Sequence, residues 1–211
     1  MKVYKCLIYD FDGVICDSVK LKTQAFETLY LSYGEEVVKK VKDYHLLNGG
    51  ISRFEKFKFF SEKILNKNIS EKELDILGNQ FSEIVLEKII NAPINPGVIE
   101  FIETNTSHSL QFICSGTPHE EMNYIIKEKN LEKYFDGVFG SPTSKTKIIN
   151  HILTQYEFEP NQVLFFGDAM TDFNAAKVTS IEFIGIENDE TIFPDKTSTI
   201  KSFIELINNY E

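Results

Sequence analysis

The strongest constraint on the fold is an apolar segment near the first residue that ends in acidic side chains. Residues 3–18 read VYKCLIYDFDGVICDS; the apolar run ends at Asp10, and Asp12 and Gly13 follow. Such a run, bounded by a turn signal, predicts a buried strand in the centre of a parallel sheet. Residues two apart point to the same side of a strand, so the two carboxylates would lie together where α/β proteins bind ligands. A divalent cation would offset their repulsion; two solvated aspartates before a turn are the alternative.

The rest of the chain divides into two parts with different patterns. Up to the helix-breaking segment APINPG at 92–97, hydrophobic residues recur at helical spacing and no strand is predicted. Beyond it, apolar strands alternate with helices, which predicts a mostly parallel sheet. We therefore expect an α/β, Rossmann-like core with helices on both faces, residues 1–16 and 93–211, and an inserted all-helical cap domain, residues 17–92. The two connections would act as hinges that let the cap close over the first strand.

A second polar motif follows the strand predicted at 110–114. Ser115 and Gly116 come directly after this strand and precede a predicted helix, where a hydroxyl and free backbone N–H groups can bind an anion. The alternative is that Ser115 only begins a turn. Three residues predict the helix start: Thr117 as the cap, Pro118 at the first helical position and Glu120 as the capping-box partner.

A third motif is a lysine at the start of a helix. In the segment FGSPTSKTK at 139–147, Ser144 is the predicted cap and Lys145 the first helical residue. A fixed cation at this place could neutralise phosphoryl oxygens. Lys147 is a competitor two residues further on, and either lysine could instead be solvated.

A fourth motif is an acidic pair after the strand predicted at 163–166. The sequence continues as GDAMTD, with Asp168 and Asp172 four residues apart. Mg²⁺ prefers oxygen ligands and is usually held by one or two carboxylates together with substrate phosphate. Aspartates also cap helices, so this pair alone would be weak support for a metal site.

Together, DxDGV, the strand-end Ser115, Lys145 and GDxxxD resemble, in order, the four motifs of the haloacid dehalogenase superfamily of phosphohydrolases with a helical cap. The resemblance covers residues 1–17 and 92 to about 200. Within the superfamily, the chain resembles enzymes similar to phosphoglycolate phosphatase and β-phosphoglucomutase. It implies that Asp10 is the nucleophile and Asp12 the general acid and base. The implied magnesium ligands are Asp10, Asp12 through its backbone carbonyl, Asp168 and Asp172. The implied phosphate-binding residues are Gly13, Ser115, Gly116 and Lys145.

The resemblance predicts a Mg²⁺-dependent phosphatase that acts on a small phosphate monoester through an aspartyl-phosphate. A phosphomutase of the β-phosphoglucomutase type would use the same residues. A phosphonoacetaldehyde hydrolase would need a cap lysine, for which Lys20 or Lys22 could be considered. A non-catalytic phosphate-binding module is the remaining alternative, although such a module would be expected to have lost part of the motif set.

The predicted cap offers one candidate for substrate recognition. Arg53, the single arginine of the chain, follows the glycine pair in NGGISR at 48–53. Its planar fork could bind a substrate carboxylate or phosphate, and a surface arginine at a helix start is the alternative.

Composition limits the partners of this 211-residue chain. A net charge of −10 disfavours a nucleic-acid partner, whose phosphates would be repelled. No apolar run approaches bilayer length, so no membrane association is expected. The three cysteines form no CxxC pair, which favours a reducing, cytoplasmic location. The sequence leaves the oligomeric state open.

Overall fold

A computed structural model describes residues 3–207, which fold around one six-stranded parallel sheet. The strands are β1 (Cys6–Tyr9), β2 (Leu110–Pro118), β3 (Gly137–Ser141), β4 (Val163–Gly167), β5 (Glu182–Ile186) and β6 (Thr199–Ile200). Across the sheet their order is β3-β2-β1-β4-β5-β6, and each neighbouring pair is parallel. The first strand therefore lies inside the sheet between β2 and β4, which confirms the predicted Rossmann-like α/β core.

The helices occupy the places that the periodicity predicts. They are α1 (Val19–Tyr30), α2 (Glu35–Leu47), α3 (Arg53–Phe59), α4 (Glu71–Asn91), α5 (Val98–Asn105), α6 (His119–Glu128), α7 (Lys145–Gln155), α8 (Met170–Thr179) and α9 (Ile204–Ile207). Helices α1 to α4 follow β1, and the described residues from 19 to 91 contribute no strand to the sheet. The domain boundaries at 17 and 92 stay a prediction. The sequence predicts a final helix at 202–209; its described part begins at Ile204, and residues 208–209 lie outside the described part.

Helices cover both faces of the sheet because the buried residues of the strands alternate between two hydrophobic clusters. Leu7 and Tyr9 of β1 pack in one cluster with residues of α5, α6 and α9. Cys6 and Ile8 point to the other face, where residues of α7 and α8 cover them. The first cluster continues into helices α1 to α4, so their aromatic core joins that of the sheet. Within residues 3–207, no helix combines the length and apolar character needed to cross a bilayer.

Two helix starts differ in how their first turns are capped. The capping box of Ser70 and Glu73 is present at the start of α4. The start predicted at Thr117 is wrong, because β2 runs to Pro118 and α6 begins at His119 without a side-chain cap. The Thr117 hydroxyl is instead engaged by side chains of the site described below.

The two connections between the sheet and helices α1 to α4 lie side by side. Cys16 forms an isolated antiparallel bridge with Ile94, and the amide of Asn95 donates to the carbonyl of Ile15 at 2.9 Å. Lys129, the residue after α6, donates to the carbonyls of Ile89 and Ile90 of α4 and to that of Ala92, which follows α4, at 2.7 Å. A cation at a helix C-terminus is favourable, so this lysine stabilises the second connection.

Candidate active site

Three carboxylates meet at the carboxyl ends of the two central strands. Asp10 follows β1, Asp168 follows β4, and Asp172 lies in the first turn of α8. Tyr9 and Phe166 are register partners, so the parallel pairing of β1 and β4 places the residues that follow them next to each other. One oxygen from each carboxylate lies within 4.8 Å of the others. The predicted acidic motifs are therefore brought together.

Lys145, the first residue of α7, pairs with this carboxylate group. Its Nζ lies 2.7 Å from Oδ2 of Asp10 and also contacts Oδ1 of Asp172. All three side chains are at least 93 % buried. Lys147, the competitor, is exposed. The geometry thus favours Lys145 as the cation beside Asp10.

Burial and mutual repulsion control the ionisation of the three carboxyl groups. Burial raises the pKa of Asp10 to about 7; Lys145 opposes this shift, and the charges of Asp172 and Asp12 add to it. Burial and the charges of Asp10 and Asp172 raise the pKa of Asp168 well above its usual value. Three carboxylates facing one lysine have the donor chemistry and the excess negative charge that suit a hard divalent cation.

Asp12 points to a different set of partners. Its carboxylate accepts hydrogen bonds from Ser18 Oγ at 2.6 Å and Thr117 Oγ1 at 3.3 Å, and it pairs with Lys22 Nζ. Burial would raise its pKa, but Lys22 and Ser18 outweigh burial, so the pKa of Asp12 lies below its usual value. Its carboxylate is not part of the three-carboxylate group; the metal ligand predicted here is the backbone carbonyl, which stays a prediction.

Lys22 is a residue of the site that the sequence analysis did not assign. Its Nζ contacts the Asp12 carboxylate and donates to Thr117 Oγ1 at 2.7 Å. Ser18 and Lys22 are four residues apart at the start of α1, so they share a helix face. That spacing after DxDGV is the signal that could have identified them. The Lys22 Nζ is thus already engaged by Asp12 and Thr117, and its role in a Schiff base stays a prediction.

Two of the predicted phosphate-binding residues, Gly13 and Gly116, line the cavity at positions where a side chain would not fit. Gly13 has φ +77°, and a Cβ on it would lie 2.0 Å from Asp168 Oδ2. A Cβ on Gly116 would lie 2.4 Å from the carbonyl oxygen of Gly50. Ser115 is buried, and its Oγ accepts a hydrogen bond from the Thr117 amide at 3.1 Å. Gly13 and Gly116 border the same cavity as Asp10.

The glycine pair after α2 brings the helical segment into contact with the site. Thr171 Oγ1 donates to the Gly49 carbonyl at 2.6 Å. Gly50 has φ +75°, and a Cβ there would lie 2.3 Å from Thr171 Oγ1 and 3.1 Å from Lys145 Nζ. The cavity between this loop and the strand ends has a volume of about 420 Å³. It has room for a small ester.

Gly50→Ala is expected to lower kcat/KM by about 10-fold or more, since a displacement of about 1 Å at a site can cost 10²-fold. The added methyl group would push the loop away from Thr171 and Lys145. Gly34→Ala is a matched control, because Gly34 has φ +92° but open space around a Cβ. Steady-state kinetics with thermal unfolding should show stability loss in both variants and activity loss only in Gly50→Ala. Equal activity in the two variants would contradict contact of this loop with a working site.

Arg53 is buried. The alternative interpretation, a surface arginine at a helix start, is therefore wrong. Its guanidinium forms two contacts with the Glu121 carboxylate of α6, and Nη1 donates to Ser82 Oγ of α4 at 2.8 Å. Arg53 borders the cavity. The Glu121 carboxylate already pairs with its guanidinium and partly neutralises the charge that Arg53 could offer to a substrate. Its predicted substrate-binding role stays a prediction.

Comparison with known proteins gives a consistent result. Residues 7–186 match the family model described as haloacid dehalogenase-like hydrolase. The chain is 28 % identical over 190 residues to a phosphorylated carbohydrates phosphatase of Thermotoga maritima, covering 85 % of this chain and 83 % of the relative. It is 22 % identical over 185 residues to phosphoglycolate phosphatase 1 of Pseudomonas aeruginosa, covering 84 % and 67 %.

Among solved structures, the chain is similar to a β-phosphoglucomutase from Clostridium difficile. The TM-score is 0.79 at 19 % identity, and the alignment covers 98 % of this chain and 95 % of the other. At this identity the likeness concerns the fold. It agrees with a sheet core that carries a helical insertion after its first strand.

Proposed function

The chain belongs to the haloacid dehalogenase-like hydrolase family, and on that premise we propose that it hydrolyses a small phosphate monoester through an aspartyl-phosphate on Asp10. The observation that carries the proposal is the convergence of three carboxylates and Lys145 at the carboxyl ends of β1 and β4. Asp10 and Asp168 border a cavity of about 420 Å³. The names of two relatives, both phosphatases, support the same reaction class.

The residues present fit a magnesium ion. Asp10, Asp168 and Asp172 offer oxygen ligands within 4.8 Å of one another, and the predicted carbonyl of Asp12 would complete the protein's contribution. Mg²⁺ bound by such a group supplies charge neutralisation around phosphoryl oxygens. The positive charge of Lys145 offsets only one of the three carboxylates, and the remaining negative charge suits one divalent cation.

The side chains have distinct roles in the proposed reaction. Asp10 attacks phosphorus, and the bond from phosphorus to the ester oxygen breaks as the aspartyl-phosphate forms. Lys145 fixes a positive charge beside Asp10, and the Ser115–Gly116 turn supplies hydrogen bonds to phosphoryl oxygens. Asp12 gives a proton to the leaving alcohol and later takes one from the water that attacks phosphorus; the bond from phosphorus to the Asp10 oxygen then breaks, which releases phosphate and restores the carboxylate.

Lys22 affects both proton transfers that Asp12 carries out in the proposed reaction. The ion pair favours the carboxylate form of Asp12, which is the form that accepts the proton of the attacking water. Before the first step the acid form is needed, so the contact with Lys22 has to loosen as substrate binds. We therefore assign Lys22 as a positioning residue for Asp12.

A panel of phosphate esters tests the function. Phosphate release is measured for phosphoglycolate and for sugar phosphates, with Mg²⁺ and after chelation of metal. Release that requires Mg²⁺ supports the phosphatase. Interconversion of sugar phosphates that needs a sugar bisphosphate and releases no phosphate would instead assign a phosphomutase. Absence of both reactions across the panel would contradict the proposal.

A further inference from the structure

The cavity wall contains a buried lysine whose function the proposed reaction does not explain. Lys56 of α3 is 2 % exposed and borders the same cavity as Asp10 and Asp168. Its Nζ lies 2.7 Å from Nδ1 of His45 and 3.4 Å from the His45 carbonyl oxygen. Within residues 3–207, no carboxylate lies within salt-bridge distance of it.

Three other cations of the cavity and site each pair with a carboxylate, unlike Lys56. Lys22 pairs with Asp12, and Arg53 pairs with Glu121. Lys145 pairs with two aspartates. Because an ammonium has three N–H donors and Lys56 directs two toward His45, one donor remains for another acceptor.

His45 is also incompletely bonded. It is buried, borders the cavity, and its Nε2 has no hydrogen-bond partner within the described residues. Burial, with the charge of Lys56, lowers its pKa to about 2, so it is a neutral imidazole. When Nδ1 accepts from Lys56, Nε2 carries the ring proton and is a second unsatisfied donor. A buried donor without an acceptor is costly, which makes an acceptor from a ligand favourable.

The surroundings of Lys56 strengthen its interaction with an anion. The Phe26 ring centroid lies 5.7 Å from Nζ, and both Phe26 and Phe81 border the cavity. Burial and the charge of Lys22 lower the pKa of Lys56 to about 7. A negative group beside the amine would favour its charged form, because opposite charges attract more strongly where water is excluded.

We propose that Lys56, oriented by His45, binds a second anionic group on the substrate, at the end remote from the reacting phosphorus. The proposal rests on the proposed function and narrows its substrate class to phosphate monoesters that carry a carboxylate or a second phosphate. Arg53 is less suited to this task because Glu121 already occupies its guanidinium.

The test compares Lys56→Met with wild type on matched ester pairs. Phosphoglycolate is paired with ethyl phosphate, and a sugar bisphosphate with the corresponding sugar monophosphate; the two pairs distinguish a carboxylate from a phosphate as the second anion. For the preferred two-anion substrate, Lys56→Met is expected to lower kcat/KM by about 10- to 100-fold, mainly through a higher KM. For the matched ester that lacks the second anion, kcat/KM is expected to change little. Lys58→Met is the matched control, because Lys58 is an exposed lysine on the same helix.

Equal losses on both members of each pair, or no loss on any, would overturn the proposal. A purely structural role predicts equal losses, and thermal unfolding of the variant measures that role separately. Calorimetric titration of the same esters into Asp10→Asn, with and without Lys56→Met, gives a readout independent of turnover. If Asp10→Asn binds the two-anion ester more tightly than its partner and Lys56→Met abolishes that difference, the proposal is supported even if wild type hydrolyses none of the esters. If Asp10→Asn binds both members of each pair equally, the proposal is overturned.

Discussion

Asp10→Asn is expected to reduce phosphate release by at least about 10⁴-fold while the protein stays folded. The amide cannot attack phosphorus as a carboxylate does, and the residual rate would come from binding and charge stabilisation alone. Asp10 directly follows the central strand β1, and its carboxylate lies 2.7 Å from Lys145 Nζ. No other carboxylate of the described residues combines these two features. Initial-rate assays at saturating substrate and Mg²⁺ measure the effect.

The fold of this variant should be preserved because the substitution removes a charge from a crowded site. Burial and neighbouring carboxylates already raise the pKa of Asp10 to about 7, so its ionised form is disfavoured there. Lys145 keeps its contact with Asp172. We expect a metal-free Tm no lower than that of wild type. Asp43→Asn, at an exposed position on α2, is the control and should keep full activity. Full turnover in Asp10→Asn would refute its role as the nucleophile.

Lys145→Met is expected to lower kcat/KM by about 10²- to 10³-fold, the size of effect seen when one preorganised charge-stabilising group is removed. The same change leaves two buried aspartates without their cation. Breaking a buried ion pair in this way costs about 3 kcal/mol in unfolding free energy. The burial of Lys145 and its two partners makes this the more destabilising of the two substitutions discussed here.

Lys147→Met provides a close comparison for Lys145→Met. Both lysines lie in the first turn of α7, but Lys147 is exposed. Denaturant unfolding and steady-state kinetics on the two variants should show losses in the first and wild-type values in the second. Loss of activity in Lys147→Met with retention in Lys145→Met would reverse the assignment.

Much of the fold was predictable because it depends on patterns that are local in the sequence. Apolar runs predicted the central strands, and the alternation beyond residue 97 predicted a parallel sheet. Parallel strands bring their carboxyl ends to one edge, so the residues that follow β1 and β4 were expected at that edge. That rule places Asp10, Asp168 and Lys145 at the same edge, and the pairing of β1 with β4 brings the three carboxylates together. The short strand β6 carried no comparable signal and was not predicted.

Other features depended on which elements pack against each other. The sequence motif at Thr117 predicted a helix cap, but α1 packs close enough for Lys22 to engage that hydroxyl together with Asp12. The partner of Arg53 could not be identified without knowing that α6 faces α3 and α4.

The amino-acid sequence by itself determined the α/β class, the order of the motifs and the edge of the sheet where they meet, because backbone hydrogen bonding and hydrophobic periodicity act over short stretches of chain. Only the tertiary structure decided that the Gly49–Gly50 loop contacts the site and that Lys56 is buried beside His45, with no carboxylate of residues 3–207 within salt-bridge distance. Those relations join residues from separate helices and strands, and they arise from side-chain packing across elements, which no local pattern records.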